Sequence, residues 1–131
     1  LSLPFPRAAR LTRSSEFLAV RKEGRSHAGR HLVLGVLRGR DSQRVGIITS
    51  RRVGNAVIRN RVRRRLREIV RHSRPDWLPG LWVVVIARNP ASRASHAELQ
   101  AEWQRLARRA SILAPPHPSL PPAGESQPRA S

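Results

Sequence analysis

Across residues 51–71 the chain places nine arginines and a single acid, Glu68. Guanidinium groups at that density have one main chemistry, bidentate charge-assisted hydrogen bonding to phosphate or carboxylate oxygens. A solvated helix face normally mixes signs to gain i,i+4 pairs. Here like charges stack at that spacing, as Arg59/Arg63, Arg63/Arg67 and Arg67/Arg71. Each such pair costs about 0.2–0.5 kcal/mol in an isolated helix. A helix destabilised by its own surface is expected to be neutralised by a polyanion, so the run reads as a phosphate-binding face. Asn60, in its middle, can both donate and accept hydrogen bonds.

Other chemistries fit the residues poorly. Two-metal hydrolysis needs clustered carboxylates that hold ions ~3.5–4 Å apart. The chain has eight acids, mostly scattered, and Glu98 and Glu102 read as surface carboxylates near a helix start. His27 and His31 straddle Gly29 beside a strand, which suits no metal geometry. His72 and Asp76 read as a pair across a fraying helix end. No nucleophile–base constellation stands out, and the absence of cysteine removes disulfide scaffolds, zinc fingers and thiol chemistry.

Presenting an arginine face requires a helix whose opposite side is anchored. At ~100° per residue, Ile58, Val62, Leu66 and Ile69 fall within about a quarter-turn, with Val70 at its edge. Arg63, Arg67, Asn60, Arg71 and Arg64 collect on the opposite side, flanked by Arg59 and Arg61. Arg65 lies close to the apolar stripe and is expected to snorkel. Asn55 is a good N-cap, so a long helix is predicted over about residues 56–72. Upstream, Ser14 or Ser15 can cap a short helix carrying Glu16, Phe17 and Val20 and ended by Gly24. Residues 25–30 hold a short strand or a loop. The apolar runs 31–37 and 45–49, joined by a turn over 39–42, are predicted to form an antiparallel hairpin. Residues 81–87 are the most apolar run and read as a central strand. Ser95 and Glu98 form a capping box opening a last helix, with Leu99, Trp103, Leu106 and Ala110 on one face. Trp82 and Trp103 both read as core tryptophans. The order helix–strands–helix–strand–helix predicts an α+β fold, a small sheet sandwich packed with helices.

Composition points the same way. The 131 residues suffice for one domain, and 26 Lys+Arg against 8 Asp+Glu give a formal charge of +18. Such self-repulsion is tolerable when the working partner is a polyanion. All the basic residues but Lys22 are arginine, as GC-rich codons produce and as phosphate binding favours. With five aromatics in all (Phe5, Phe17, Trp77, Trp82 and Trp103), base stacking cannot be the main source of affinity. There is no aromatic RNP segment and no GXXG loop, which removes RRM and KH modules. No apolar run approaches the ~18 residues of a membrane span. Position 1 is leucine and no methionine occurs, as expected of a processed start or an unusual start codon. Residues 1–9 read as an N-terminal extension and 10–113 as the folded domain. Residues 114–131, with six prolines, read as a disordered tail.

The run Arg52-Val-Gly-Asn-Ala-Val-Ile-Arg-Asn-Arg-Val-Arg-Arg-Arg-Leu-Arg-Glu68 resembles the signature of the bacterial ribonuclease P protein family. Arg10-Leu11, Ser14 and Glu16-Phe17 resemble that family's opening. Val45-Gly46 and Ser50-Arg51-Arg52 resemble its strand and connector, and Ala87-Arg88-Asn89-Pro90-Ala91 the end of its last strand. The likeness covers residues 10–113 in order. It implies a small RNA-binding α+β domain with a left-handed strand–helix–strand crossover, where general rules expect a right-handed one. It implies the protein subunit of an endoribonuclease that removes 5′ leaders from precursor tRNAs by phosphodiester hydrolysis. In that family the chemistry belongs to a catalytic RNA and to Mg²⁺ held mainly by that RNA. The implied partners are the catalytic RNA and precursor tRNA, in the cytoplasm, with no membrane and no obligate protein partner.

Carried onto this chain, the resemblance implies that Arg59, Asn60, Arg61, Arg63, Arg64 and Arg67 contact catalytic-RNA phosphates. It implies leader binding by Phe17, Arg21, Ser50, Arg51, Arg52 and Arg88, and no catalytic or metal-ligating residue in the protein. Arg21 and Gly35 stand where the family commonly has aromatics, so the leader is expected to be held more by arginine–phosphate contacts than by stacking. Rival readings are a ribosomal or assembly protein, a nucleoid-type DNA binder and, more distantly, a self-sufficient nuclease.

Overall fold

A computed structural model of the chain describes residues 10, 11 and 13–114. The expected extension, 1–9, and the proline-rich tail from 115 onward lie outside the described residues. The elements run α1 (Ser14–Glu23), β1 (Arg25–Ala28), β2 (Leu32–Leu37), β3 (Arg44–Thr49), α2 (Ala56–Ser73), β4 (Trp82–Ala87) and α3 (His96–Arg109).

The helix ends follow from local chemistry. Ile58 N–H donates to the Asn55 side chain at 3.0 Å. Ser95 and Glu98 exchange hydrogen bonds of 3.1 and 2.8 Å, so both predicted caps form and satisfy N–H groups the helices leave unpaired. α1 differs: Glu16 reaches back to the Arg13 N–H at 2.9 Å. That bond makes Arg13 the cap and draws Ser14 and Ser15 into the first turn. α2 runs unbroken for 18 residues, and Pro75 closes the segment two residues later, as a residue without an N–H must.

The four strands form one mixed sheet in the order β1-β2-β4-β3. β2 is antiparallel to both β1 and β4, whereas β3 and β4 are parallel and are joined through α2. The expected β2–β3 hairpin is therefore not made, because β4 lies between the two strands. Its run of valines has to be covered on both faces and both edges, and the interior slot does that. The connection over 38–43 is long enough to straddle the ~9–10 Å of two strand spacings. It is held there by Arg40 N–H donating to Gly80 O at 3.0 Å. Gly80 has φ +73 and sits so close to Arg40 O that a Cβ would lie 2.8 Å from it, so the turn needs glycine.

Strand alternation gives the sheet two apolar faces. Leu32, Leu34, Val36, Val45, Val83 and Val85 meet Val62, Leu66, Ile69 and Val70 of α2 and Leu99, Trp103 and Leu106 of α3 in the main core. Burying each of these side chains stabilises the fold by about 1.5–3 kcal/mol. On the other face, Val84 and Leu37 pack with Leu11 and with Val20 of α1, and Phe17, Ile48, Trp82 and Ile86 are partly covered beside them. Trp103 is a core tryptophan as predicted. Trp82 is not enclosed: it lies half-buried on the α1 face with the Arg40 guanidinium 4.3 Å from its ring centre.

Glu102 overturns its reading as a surface carboxylate. It is 1% exposed and accepts hydrogen bonds from the main-chain N–H groups of His31 (2.7 Å) and Leu32 (2.6 Å). His31 Nδ1 lies 2.9 Å from its other oxygen. Burial alone would oppose ionisation, but these hydrogen bonds outweigh it and hold the carboxyl below the ordinary glutamate range. No helix among the described residues is long and apolar enough to cross a membrane.

Candidate nucleic-acid interface

The arginine face is built by the amphipathicity of α2. With Val62, Leu66, Ile69 and Val70 buried against the sheet, the other side has to face solvent. Asn60, Arg61, Arg64 and Arg67 are all exposed there, while Arg59 and Arg63 are half-buried at its border. Arg63 is the most constrained, donating to Thr49 Oγ1 at 2.7 Å and to Asn60 Oδ1 at 3.2 Å. Asn60, Arg63, Arg64 and Arg67 line a shallow depression of about 210 Å³. Partial burial, and then the fields of Arg10, Arg63 and Arg71, push the Arg67 guanidinium below its ordinary pKa. It stays charged at any working pH, but like charges converge here as they do in anion sites.

Sequence reasoning placed three neighbours differently. Arg10, absent from the predicted set, joins this surface because the chain before α1 lies along the outer edge of β3, with an Arg10–Val45 bridge and Leu11 N–H donating to Val45 O at 2.9 Å. Long-range edge pairing has no local signature. Arg71 pairs with Glu68, so the sole acid of the helix marks one end of the basic surface. His72 pairs with Glu68 at 2.9 Å rather than with Asp76, because α2 continues through it and brings the i,i+4 partner into reach. Arg65 turns away, as expected, and donates to Ala94 O at 3.0 Å.

The second set of residues gathers at one end of the sheet. The register aligns Leu32, Ala87 and Thr49, so the turn before β2, Arg88 after β4 and Ser50 after β3 stand in a row. Arg51 and Arg52 are exposed in the short 3₁₀ turn that leads to α2. Below this row on the α1 face, Val33, Ile86 and Ile48 are half-buried. Phe17 of α1 is partly buried in the same cluster as Ile48 and Ile86. The ring packs on Gly46 so closely that a Cβ there would lie 2.4 Å from it. Arg21, one turn further along α1, is exposed on the same side. Arg88 is tied to the turn before β2, its N–H donating to His31 O at 2.8 Å and its Nη1 to Gly29 O at 2.7 Å.

Among the described residues no three His, Cys, Asp or Glu side chains converge as a metal site. His31 is engaged by Glu102 instead of His27.

Comparison with known proteins gives one consistent result. The sequence matches the family model for ribonuclease P over residues 5–111. It is 42% identical over 108 residues to the ribonuclease P protein component of Shouchella clausii, covering 81% of this chain and 88% of that one. It is 44% identical over 112 residues to that of Chloroflexus aggregans, covering 84% and 83%. The Staphylococcus aureus RNase P protein superposes with a TM-score of 0.75 at 29% identity, over 82% of this chain and 99% of that chain. The Thermotoga maritima RNase P protein gives 0.68 at 31%, over 76% and 96%.

Proposed function

The chain belongs to the ribonuclease P protein family, and from that premise we propose how its two surfaces divide the work. As a protein component of ribonuclease P it is a subunit of the endoribonuclease of tRNA 5′ maturation, and its partner is the ribonuclease P RNA. In our reading the α2 surface of Arg59, Asn60, Arg61, Arg63, Arg64 and Arg67 contacts phosphates of that RNA. The surface of Phe17, Arg21, Ser50, Arg51, Arg52 and Arg88 holds the 5′ leader of precursor tRNA. The assembly works in the cytoplasm.

The observation that carries this reading is the exposure of Asn60, Arg61, Arg64 and Arg67 on one helix side whose opposite side is buried in the core. Arginines fixed in that way replace the mobile counterions that would otherwise condense on the RNA, and their release favours assembly. The border residues Arg51 and Arg52 connect the two surfaces, so one strand of RNA and the leader can be held side by side. In this reading Mg²⁺ belongs with the RNA, as the family resemblance implies, and no step is routed through a protein-held ion.

Precursor-tRNA cleavage at low Mg²⁺ tests the division. Protein alone, RNA alone and the mixture are compared, and activity is expected in the mixture only. Cleavage by the protein alone would overturn the reading, and an absence of stimulation would favour a ribosomal or assembly role.

A further inference from the structure

Glu102 is a buried, ionised group that the reading above does not use, and its surroundings lead to Arg88. One carboxylate oxygen accepts both the His31 and the Leu32 N–H groups, and the other meets His31 Nδ1. The turn over 29–31 is thereby clamped to α3. Gly29 lies against the carboxylate, since a Cβ on it would stand 2.5 Å from Glu102 Oε2. The turn's outward carbonyls in turn grip Arg88. Gly29 O takes its Nη1, and His31 O takes its main-chain N–H. Arg88 is itself exposed, and a guanidinium has five donors, so donors beyond the one given to Gly29 are available to a phosphate at this end of the sheet.

We propose that Glu102 is a positioning residue for leader binding: through the 29–31 turn it fixes the Arg88 guanidinium at this end of the sheet, where it takes a phosphate of the single-stranded leader. This rests on the reading of Arg88 as a leader contact. An arginine on an unclamped turn would have to be ordered at the moment of binding, and holding it beforehand removes that cost. A carboxylate suits the task because it accepts every one of these hydrogen bonds without a donor of its own.

The test uses the reconstituted holoenzyme, full chain with catalytic RNA, and compares affinity for precursor tRNA carrying a leader with affinity for leaderless tRNA. Arg88→Ala is expected to lower the leader's contribution roughly tenfold. Glu102→Leu, which fills the space but offers the His31 and Leu32 N–H groups no acceptor, is expected to cause most of the same loss with leaderless tRNA unaffected. The double variant is expected to bind no worse than Arg88→Ala, because both changes remove one contact. Gly29→Ala keeps every hydrogen-bonding group and crowds the carboxylate from the turn side. It is expected to reproduce the loss, and it serves where Glu102→Leu does not fold. Losses that multiply in the double variant overturn the proposal, as does a lowered melting temperature with full leader affinity. Undiminished leader preference in Arg88→Ala overturns the reading of Arg88 and the proposal with it.

Discussion

Arg64 and Arg65 are adjacent in sequence and opposite in role, because successive helical positions point ~100° apart. Arg64 is exposed beside Asn60, Arg63 and Arg67, whereas Arg65 satisfies the carbonyl of Ala94 at 3.0 Å. Arg64→Ala is expected to weaken binding to the catalytic RNA and to lower the salt slope by about 1, with an unchanged melting temperature. Arg65→Ala is expected to do the reverse, costing about 1 kcal/mol of stability and leaving the salt slope alone. Titrations at several salt concentrations, with thermal melts of the free protein, separate the two. The arginine face was legible in the sequence because it depends only on period. Glu102 was not, since the groups that bury it are main-chain N–H donors 70 and 71 positions away and main-chain donors leave no mark on residue type.

At the scale of elements, α1 is seated on the sheet through two glycines. A Cβ at Gly46 would lie 2.4 Å from the Phe17 ring, and one at Gly35 would lie 3.2 Å from Val20 Cγ1. A ring clamped between helix and sheet cannot give as a terminal methyl can. Gly46→Ala is therefore expected to destabilise the protein by about 1–3 kcal/mol and to weaken leader binding, with assembly through α2 preserved. Gly35→Ala is expected to be milder on both counts. Chemical denaturation and holoenzyme binding read the difference. The three helices and three of the four strands could be placed from their own residues, through Asn55, the Ser95–Glu98 box and the valines of β4, whereas the residues of β1 allowed a strand or a loop. The order of strands could not. Residues 31–49 look locally like a hairpin, and only the need to cover β4 on both edges, which enters the chain some thirty residues later, separates β2 from β3. Arg88 and Ser50 were recognisable singly, but their alignment at one sheet end follows from that same long-range pairing.

For the whole molecule the decisive quantity is charge. A formal +18 over 131 residues acts against compactness unless a polyanion neutralises it. The core resists that repulsion by putting apolar residues on both faces of the sheet and leaving the arginines at the surface. The exposed cations of the two proposed surfaces, among them Arg21, Arg51, Arg52, Arg61, Arg64, Arg67 and Arg88, can reach roughly 6–10 phosphates, and each neutralised phosphate steepens the salt dependence by about 0.9 for a duplex and 0.7 for a single strand. Affinity for the catalytic RNA with bound precursor tRNA, which engages both surfaces, is therefore expected to fall by about 10³–10⁵ between 50 and 200 mM salt, somewhat less where the contacted strand is single. A slope of one or two would mean that the arginines meet solvent rather than RNA, and the α2 surface would lose its assignment. A steep slope that survives alanine at Arg61, Arg64 and Arg67 together would place the phosphates elsewhere on the molecule. A steep slope that falls by about one for each of those substitutions would assign the phosphate contacts to the side of α2 that the buried stripe leaves in solvent.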